Sequence, residues 1–206
     1  MKIFCIGLNK TGTTSLVDAW RELGYDKIYS GIDKATLKKV MPTGVKINGR
    51  NIVKSGINND FDILRSVISG YDCLKDRPFN TNHLYRWLDE NYKESKFILT
   101  VRGEDEWWNS VNRWLTNSTK FHDTEDKRAN KIQLYKDHFN TTEFTKDSFI
   151  DYYRDYNSRV RKYFKGKSNF LELNICNGDG WKTLCSFLEK TVPNKEFPKS
   201  NINSYN

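Results

Sequence analysis

Short apolar runs alternate along the chain with longer segments in which apolar positions recur every three or four residues. The first kind reads as buried strand and the second as amphipathic helix. The pattern predicts strands over 2–7, 27–30, 71–75, 96–101 and 169–173, and helices over 13–23, 60–69, 81–92, 104–115, 125–138, 147–164 and 180–190. A hairpin is predicted where Val45–Asn48 and Asn51–Lys54 flank a Gly49-Arg50 turn. Repeated strand-then-helix units imply parallel pairing, because parallel neighbours need a long crossover and helices supply it. The expected fold class is therefore α/β, a three-layer sandwich in which a parallel sheet is flanked by helices. No linker, repeat or composition break divides the chain, so one domain over 1–198 is expected, with a flexible Asn/Ser-rich tail at 199–206.

The first strand runs directly into Gly7-Leu8-Asn9-Lys10-Thr11-Gly12-Thr13-Thr14-Ser15. Glycines at both ends of this turn free the backbone, so that successive N–H groups can converge on an anion at the positive end of the following helix. The spacing fits the opening of the pattern G-x-x-x-x-G-K-[ST], but Thr13 stands where that pattern places lysine and the cation has moved to Lys10 inside the turn. A strand-glycine-helix junction without any ligand is the plain alternative.

A second segment, Lys96 to Arg102, reads as a buried strand ending in arginine, followed by an acidic helix start at Gly103-Glu104-Asp105-Glu106. In open α/β sheets ligands bind at the carboxyl edge of the strands. An arginine fork with a nearby hydroxyl suits a phosphate monoester, and Arg102 with Ser110 supplies that pair. Alone, Arg102 would be read as the ion-pair partner of a helix acid.

These segments resemble the sulfotransferases that use 3′-phosphoadenosine-5′-phosphosulfate (PAPS). Lys10 to Ser15 is similar to their 5′-phosphosulfate loop, and Arg102 with Ser110 to their 3′-phosphate pair. The stretch Phe170 to Leu188, an apolar strand followed by a Gly178-Asp179-Gly180-Trp181 turn and a Leu184-Cys185-Ser186-Phe187-Leu188 helix, resembles the C-terminal part of the same family. Residues 26–70 and 116–165 carry no such likeness. The resemblance implies a P-loop NTPase-like sheet and a sulfotransferase-like domain over 1–198. It also implies PAPS as donor co-substrate, with Lys10, Thr11, Gly12, Thr13, Thr14 and Ser15 holding its 5′ end and Arg102 and Ser110 its 3′-phosphate. Lys10 would stabilise the leaving oxygen, and no metal is expected.

The acceptor hydroxyl or amine needs a base. Asp76, in an Asp-Arg-Pro turn after a strand, is the first candidate, and His83 the second. Asp76 could instead pair with Arg77 or cap the next helix. Two other functions stay open: a nucleotide or metabolite kinase using the same cradle, and an anion-binding protein without catalysis. The displaced lysine and the lack of an evident Mg²⁺-binding Asp after an apolar strand count against the kinase.

The formal charge of +8 favours anionic partners. Basic residues are interleaved with acids and no nucleic-acid motif is present, so nucleic acid is not expected as the primary partner. The acceptor is expected to be a small molecule or glycan, and an oligomer is left open. No run approaches the ~18 apolar residues of a membrane span, and the first strand at residue 2 leaves no room for a secretory signal, so a cytoplasmic location is expected. Cys5, Cys73, Cys176 and Cys185 show no metal-ligand spacing and are expected as reduced core thiols. The dispersed His83, His122 and His138 nominate no metal site.

Overall fold

A computed structural model describes residues 1–31, 61–81, 83–116 and 124–200; the predicted hairpin at 45–54 lies outside the described residues. Among the described residues five strands and seven α-helices follow in chain order: β1 (Ile3–Cys5), α1 (Thr13–Glu22), β2 (Ile28–Ser30), α2 (Phe61–Ser69), β3 (Cys73–Lys75), α3 (Leu84–Asn91), β4 (Lys96–Thr100), α4 (Glu104–Thr116), α5 (Glu125–Phe139), α6 (Lys146–Phe164), β5 (Phe170–Leu173) and α7 (Trp181–Leu188). The strands form one parallel sheet in the order β2-β3-β1-β4-β5, as the alternation of strand and helix predicts.

The chain divides into two compact units, Met1–Val101 with Phe164–Asn206, and Arg102–Tyr163. The first holds the sheet. Because side chains alternate across a strand, Ile3 and Cys5 leave β1 on one face and Phe4 on the other. The Ile3 face joins Cys73, Ile98 and Leu173 to Leu16, Val17 and Trp20 of α1 and to Trp181, Leu184 and Leu188 of α7. The opposite face is aromatic. Phe4 is in register with Phe97, their rings stacked at 5.4 Å; Phe97 meets Phe164 at 5.0 Å, and Phe164 stacks on Phe170 at 4.8 Å. Tyr85 of α3 also reaches Phe164. Mixed aliphatic and tryptophan packing on one side and mainly ring packing on the other give the sheet two buried faces, the condition under which an all-parallel sheet is stable.

The second unit is helical. Trp107 is fully buried and stacks on Tyr153 at 4.4 Å, and Phe139 stacks on Tyr152 at 4.3 Å. Among the described residues no helix is long and apolar enough to cross a membrane.

Candidate active site

The loops leaving β1 and β3 meet at the carboxyl edge of the sheet. Gly7 lies so close to β4 that an added Cβ would fall 2.1 Å from Thr100 Oγ1 and 2.6 Å from the Thr100 backbone N and O, so only glycine fits. The turn then passes through Lys10 at φ 72° and Gly12 at φ 92°, both left-handed. Glycine adopts that conformation freely, whereas lysine adopts it at a cost of about 1–2 kcal/mol.

Gly12 is the N-cap of α1 and, lacking a side chain, makes no side-chain cap bond. The Leu16 N–H is bonded back to the Gly12 carbonyl at 3.1 Å, so the N–H groups of Thr13, Thr14 and Ser15 precede the first intrahelical bond. These donors sit at the positive end of the helix dipole, beside the one cation of the turn.

The hydroxyls of the turn have separate duties. Thr11 is fully buried; its hydroxyl bonds the Leu8 carbonyl and Thr100 Oγ1, each at 2.6 Å, so it braces the turn from beneath. Ser15 Oγ accepts the N–H of Ser200 at 3.0 Å, and Ser200 also bonds Asp18. Thr13 is buried and Thr14 exposed. What the turn offers an anion is therefore mostly backbone N–H. Beneath it, Cys5 Sγ lies 3.7 Å from Thr100 Oγ1, and burial pushes the thiol up to about 11, which keeps a negative charge away from the underside of the turn.

Asp76 closes β3 at φ 63°, again left-handed. Lys75 Nζ donates to its Oδ2 at 2.7 Å and Asn9 Nδ2 to its Oδ1 at 3.0 Å. Gly31, just beyond β2, has room for no more than the carboxylate beside it: a Cβ there would stand 3.3 Å from Oδ2. Asp76 thus pairs with Lys75 and the β1 turn. Asp76 does not cap α3, since the N-cap is His83. His83 is exposed, its Nδ1 3.5 Å from Tyr85 Oη.

Arg102 and Ser110 belong to the second unit. The Arg102 guanidinium lies 3.3 Å from Glu106, which shares a face of α4 with Ser110 four residues on. This is the ion pair with a helix acid that the sequence allowed. It is partly exposed, so it holds the fork by at most about 1 kcal/mol and yields readily to a dianion. Glu104 takes a bidentate bond from Arg154 at 2.8 and 2.6 Å, and Asp105 pairs with Lys146 at 2.7 Å. The acidic start of α4 is thereby neutralised around Arg102.

Sequence reasoning missed Asn9, Lys75, Asn80 and Tyr153. The only available signal was the left-handed requirement of the two turns, which a single sequence does not display. Cys176 corrects another expectation: it is exposed, because the 3₁₀ turn Ile175–Asn177 carries it out of the core. Among the described residues, no group of three His, Cys, Asp or Glu side chains could hold a metal ion.

Comparison with known proteins gives this geometry its context. The chain matches the sulfotransferase domain over residues 2–205. It is also 28% identical, over 216 aligned residues covering 96% of this chain and 80% of the relative, to Ava biosynthesis cluster protein M of Aspergillus versicolor. With a parallel sheet, a glycine-bounded turn opening α1 and a match along almost its whole length, the chain belongs to the sulfotransferase-domain family.

Proposed function

We propose that the protein transfers a sulfuryl group from PAPS to a hydroxyl or amine of a small-molecule acceptor. The observation that carries this reading is the start of α1: a helix N-terminus with no side-chain cap, entered through a left-handed Gly12 with Lys10 in the same turn. Such an end receives an anion. The Aspergillus relative is named for a biosynthesis cluster, which favours a small molecule over a polymer as acceptor.

In the transfer an acceptor oxygen or nitrogen bonds to sulfur, the bond from sulfur to the 5′-phosphate oxygen breaks, and adenosine 3′,5′-bisphosphate leaves. The N–H groups of Thr13, Thr14 and Ser15 hold the 5′ end. Lys10 stabilises negative charge as it grows on the leaving oxygen. Asp76 takes the acceptor proton: both oxygens already accept one bond, yet a carboxylate has about four acceptor sites, so one stays available. Arg102 and Ser110 bind the 3′-phosphate, with Arg102 exchanging Glu106 for the phosphate.

The test is release of adenosine 3′,5′-bisphosphate from PAPS, followed by mass spectrometry in the presence of pooled phenols, alcohols and amines. Acceptor-dependent release with a product heavier by one sulfuryl group supports the proposal. Phosphate transfer from Mg-ATP instead would identify a kinase, and tight donor binding without any product a non-catalytic protein.

A further inference from the structure

The β1 and β3 turns each contain a left-handed residue that is not glycine, Lys10 and Asp76. Asn9 joins them. It precedes Lys10 in the chain, its Nδ2 donates to Asp76 Oδ1 at 3.0 Å, and its Oδ1 accepts from Asn80 Nδ2 at 3.2 Å. Asn80 is fully buried and also donates to the Gly7 carbonyl at 3.3 Å. Its own Oδ1 is buried and has no hydrogen-bond partner among the described residues. Buried acceptors are almost always satisfied, so this amide is oriented for the turn it supports at the expense of its other end.

The result is one directed chain of donors, from Asn80 to Asn9 to Asp76, running from beneath the anion-binding turn to the carboxylate. Each amide has its orientation set by the next: Asn80 must present Nδ2 to two acceptors, which forces Asn9 to receive with Oδ1 and give with Nδ2. Lys75 holds the second oxygen of the carboxylate, and Gly31, where an added Cβ would stand 3.3 Å from that oxygen, leaves room for it.

We infer that Asn9 is a positioning residue that aims the Asp76 carboxylate from within the donor turn, an inference resting on the assignment of Asp76 as acceptor base. It acts through Asp76, and the donor is held by its neighbours. Removing it therefore lowers turnover and leaves the donor in place.

A double-mutant cycle tests this with Asn9→Ala, Asp76→Asn and the pair, measuring kcat with PAPS and, by calorimetry, the affinity for adenosine 3′,5′-bisphosphate. Asn9→Ala is expected to lower kcat at least tenfold and bisphosphate affinity less than threefold. In the Asp76→Asn background it is expected to lower kcat by less than twofold more, because residues that act as a unit do not add. Asn80→Ala, which removes the partner that orients Asn9, is expected to act in the same direction and carries the test if Asn9→Ala fails to fold. Parallel loss of kcat and affinity would make Asn9 a scaffold of the turn, and a full further loss in the Asp76→Asn background would show that it does not act through Asp76. Either result overturns the inference while the sulfotransferase reading stands. A wild-type chain that transfers nothing from PAPS overturns both.

Discussion

Tyr153 holds the backbone of Arg102 from both sides: its hydroxyl accepts the Arg102 N–H and donates to the Arg102 carbonyl, each at 2.8 Å. The tyrosine ring is buried and stacked on Trp107, whose N–H returns to the Gly103 carbonyl at 2.7 Å. The segment Arg102–Gly103 is thus fixed at its backbone while, among the described residues, the guanidinium is tethered by one partly exposed ion pair.

Tyr153→Phe keeps the stacked ring and removes both bonds. It is expected to lower stability by about 1–3 kcal/mol, the usual result of leaving buried polar groups unpaired. The preference for adenosine 3′,5′-bisphosphate over AMP should fall with it, since the fork loses its fixed base. Thermal unfolding and calorimetric titration read the two effects separately; a loss of stability with full preference would show that the clamp is structural alone.

Lys10→Gly separates strain from chemistry. Glycine relieves the left-handed backbone and removes the ammonium, so the melting temperature should rise, from a gain of up to about 1–2 kcal/mol. Turnover from PAPS should fall far more than bisphosphate affinity, because in the proposed transfer the charge acts on an oxygen that becomes negative only in the transition state. A large loss of affinity with unchanged turnover would make Lys10 an anchor.

The strands, their parallel pairing and the tight turn after β1 follow from local pattern: Ile3, Phe4 and Cys5 are a short apolar run that leads into Gly7, and strands alternate with helices along the chain. Arg102 and its helix acid Glu106 were within four residues of each other and equally readable. The supports of the site were not. Tyr153 reaches Arg102 across 51 residues, Asn9 reaches Asp76 across 67, and Ser200 reaches Ser15 across 185. Such pairs leave no periodicity behind, since each is one polar side chain whose partner is set by the fold. The inward Thr11 hydroxyl has the same origin: a Lys-Thr-Gly turn reads as ligand-facing, but Leu8 and Thr100 claim the hydroxyl once the turn is folded over β4.

Three buried thiols give a pH dependence. Burial raises Cys5 to about 11 and moves Cys73 and Cys185 in the same direction, against an ordinary value of 9.0. A raised folded value means that the folded state favours the protonated thiol. This contribution is complete below about pH 9 and is lost as pH rises toward 11, by up to about 3 kcal/mol for Cys5. Urea unfolding at pH 8 and pH 11 should show the decline, and Cys5→Ala should blunt it. An equal decline in the variant would assign the alkaline sensitivity to other groups. At pH 8 a thiol reagent should label exposed Cys176 quickly and the buried cysteines only on unfolding.

The donor decides the account. Calorimetric titration of the wild-type chain with adenosine 3′,5′-bisphosphate, AMP and Mg-ATP, repeated with Arg102→Ala, measures whether the protein recognises a second phosphate. Charge-assisted hydrogen bonds contribute roughly 1.5–3 kcal/mol each, so the bisphosphate should bind at least tenfold more tightly than either competitor, and Arg102→Ala should remove most of that margin. Equal affinity for AMP and the bisphosphate, or tighter binding of Mg-ATP, would contradict PAPS as the donor.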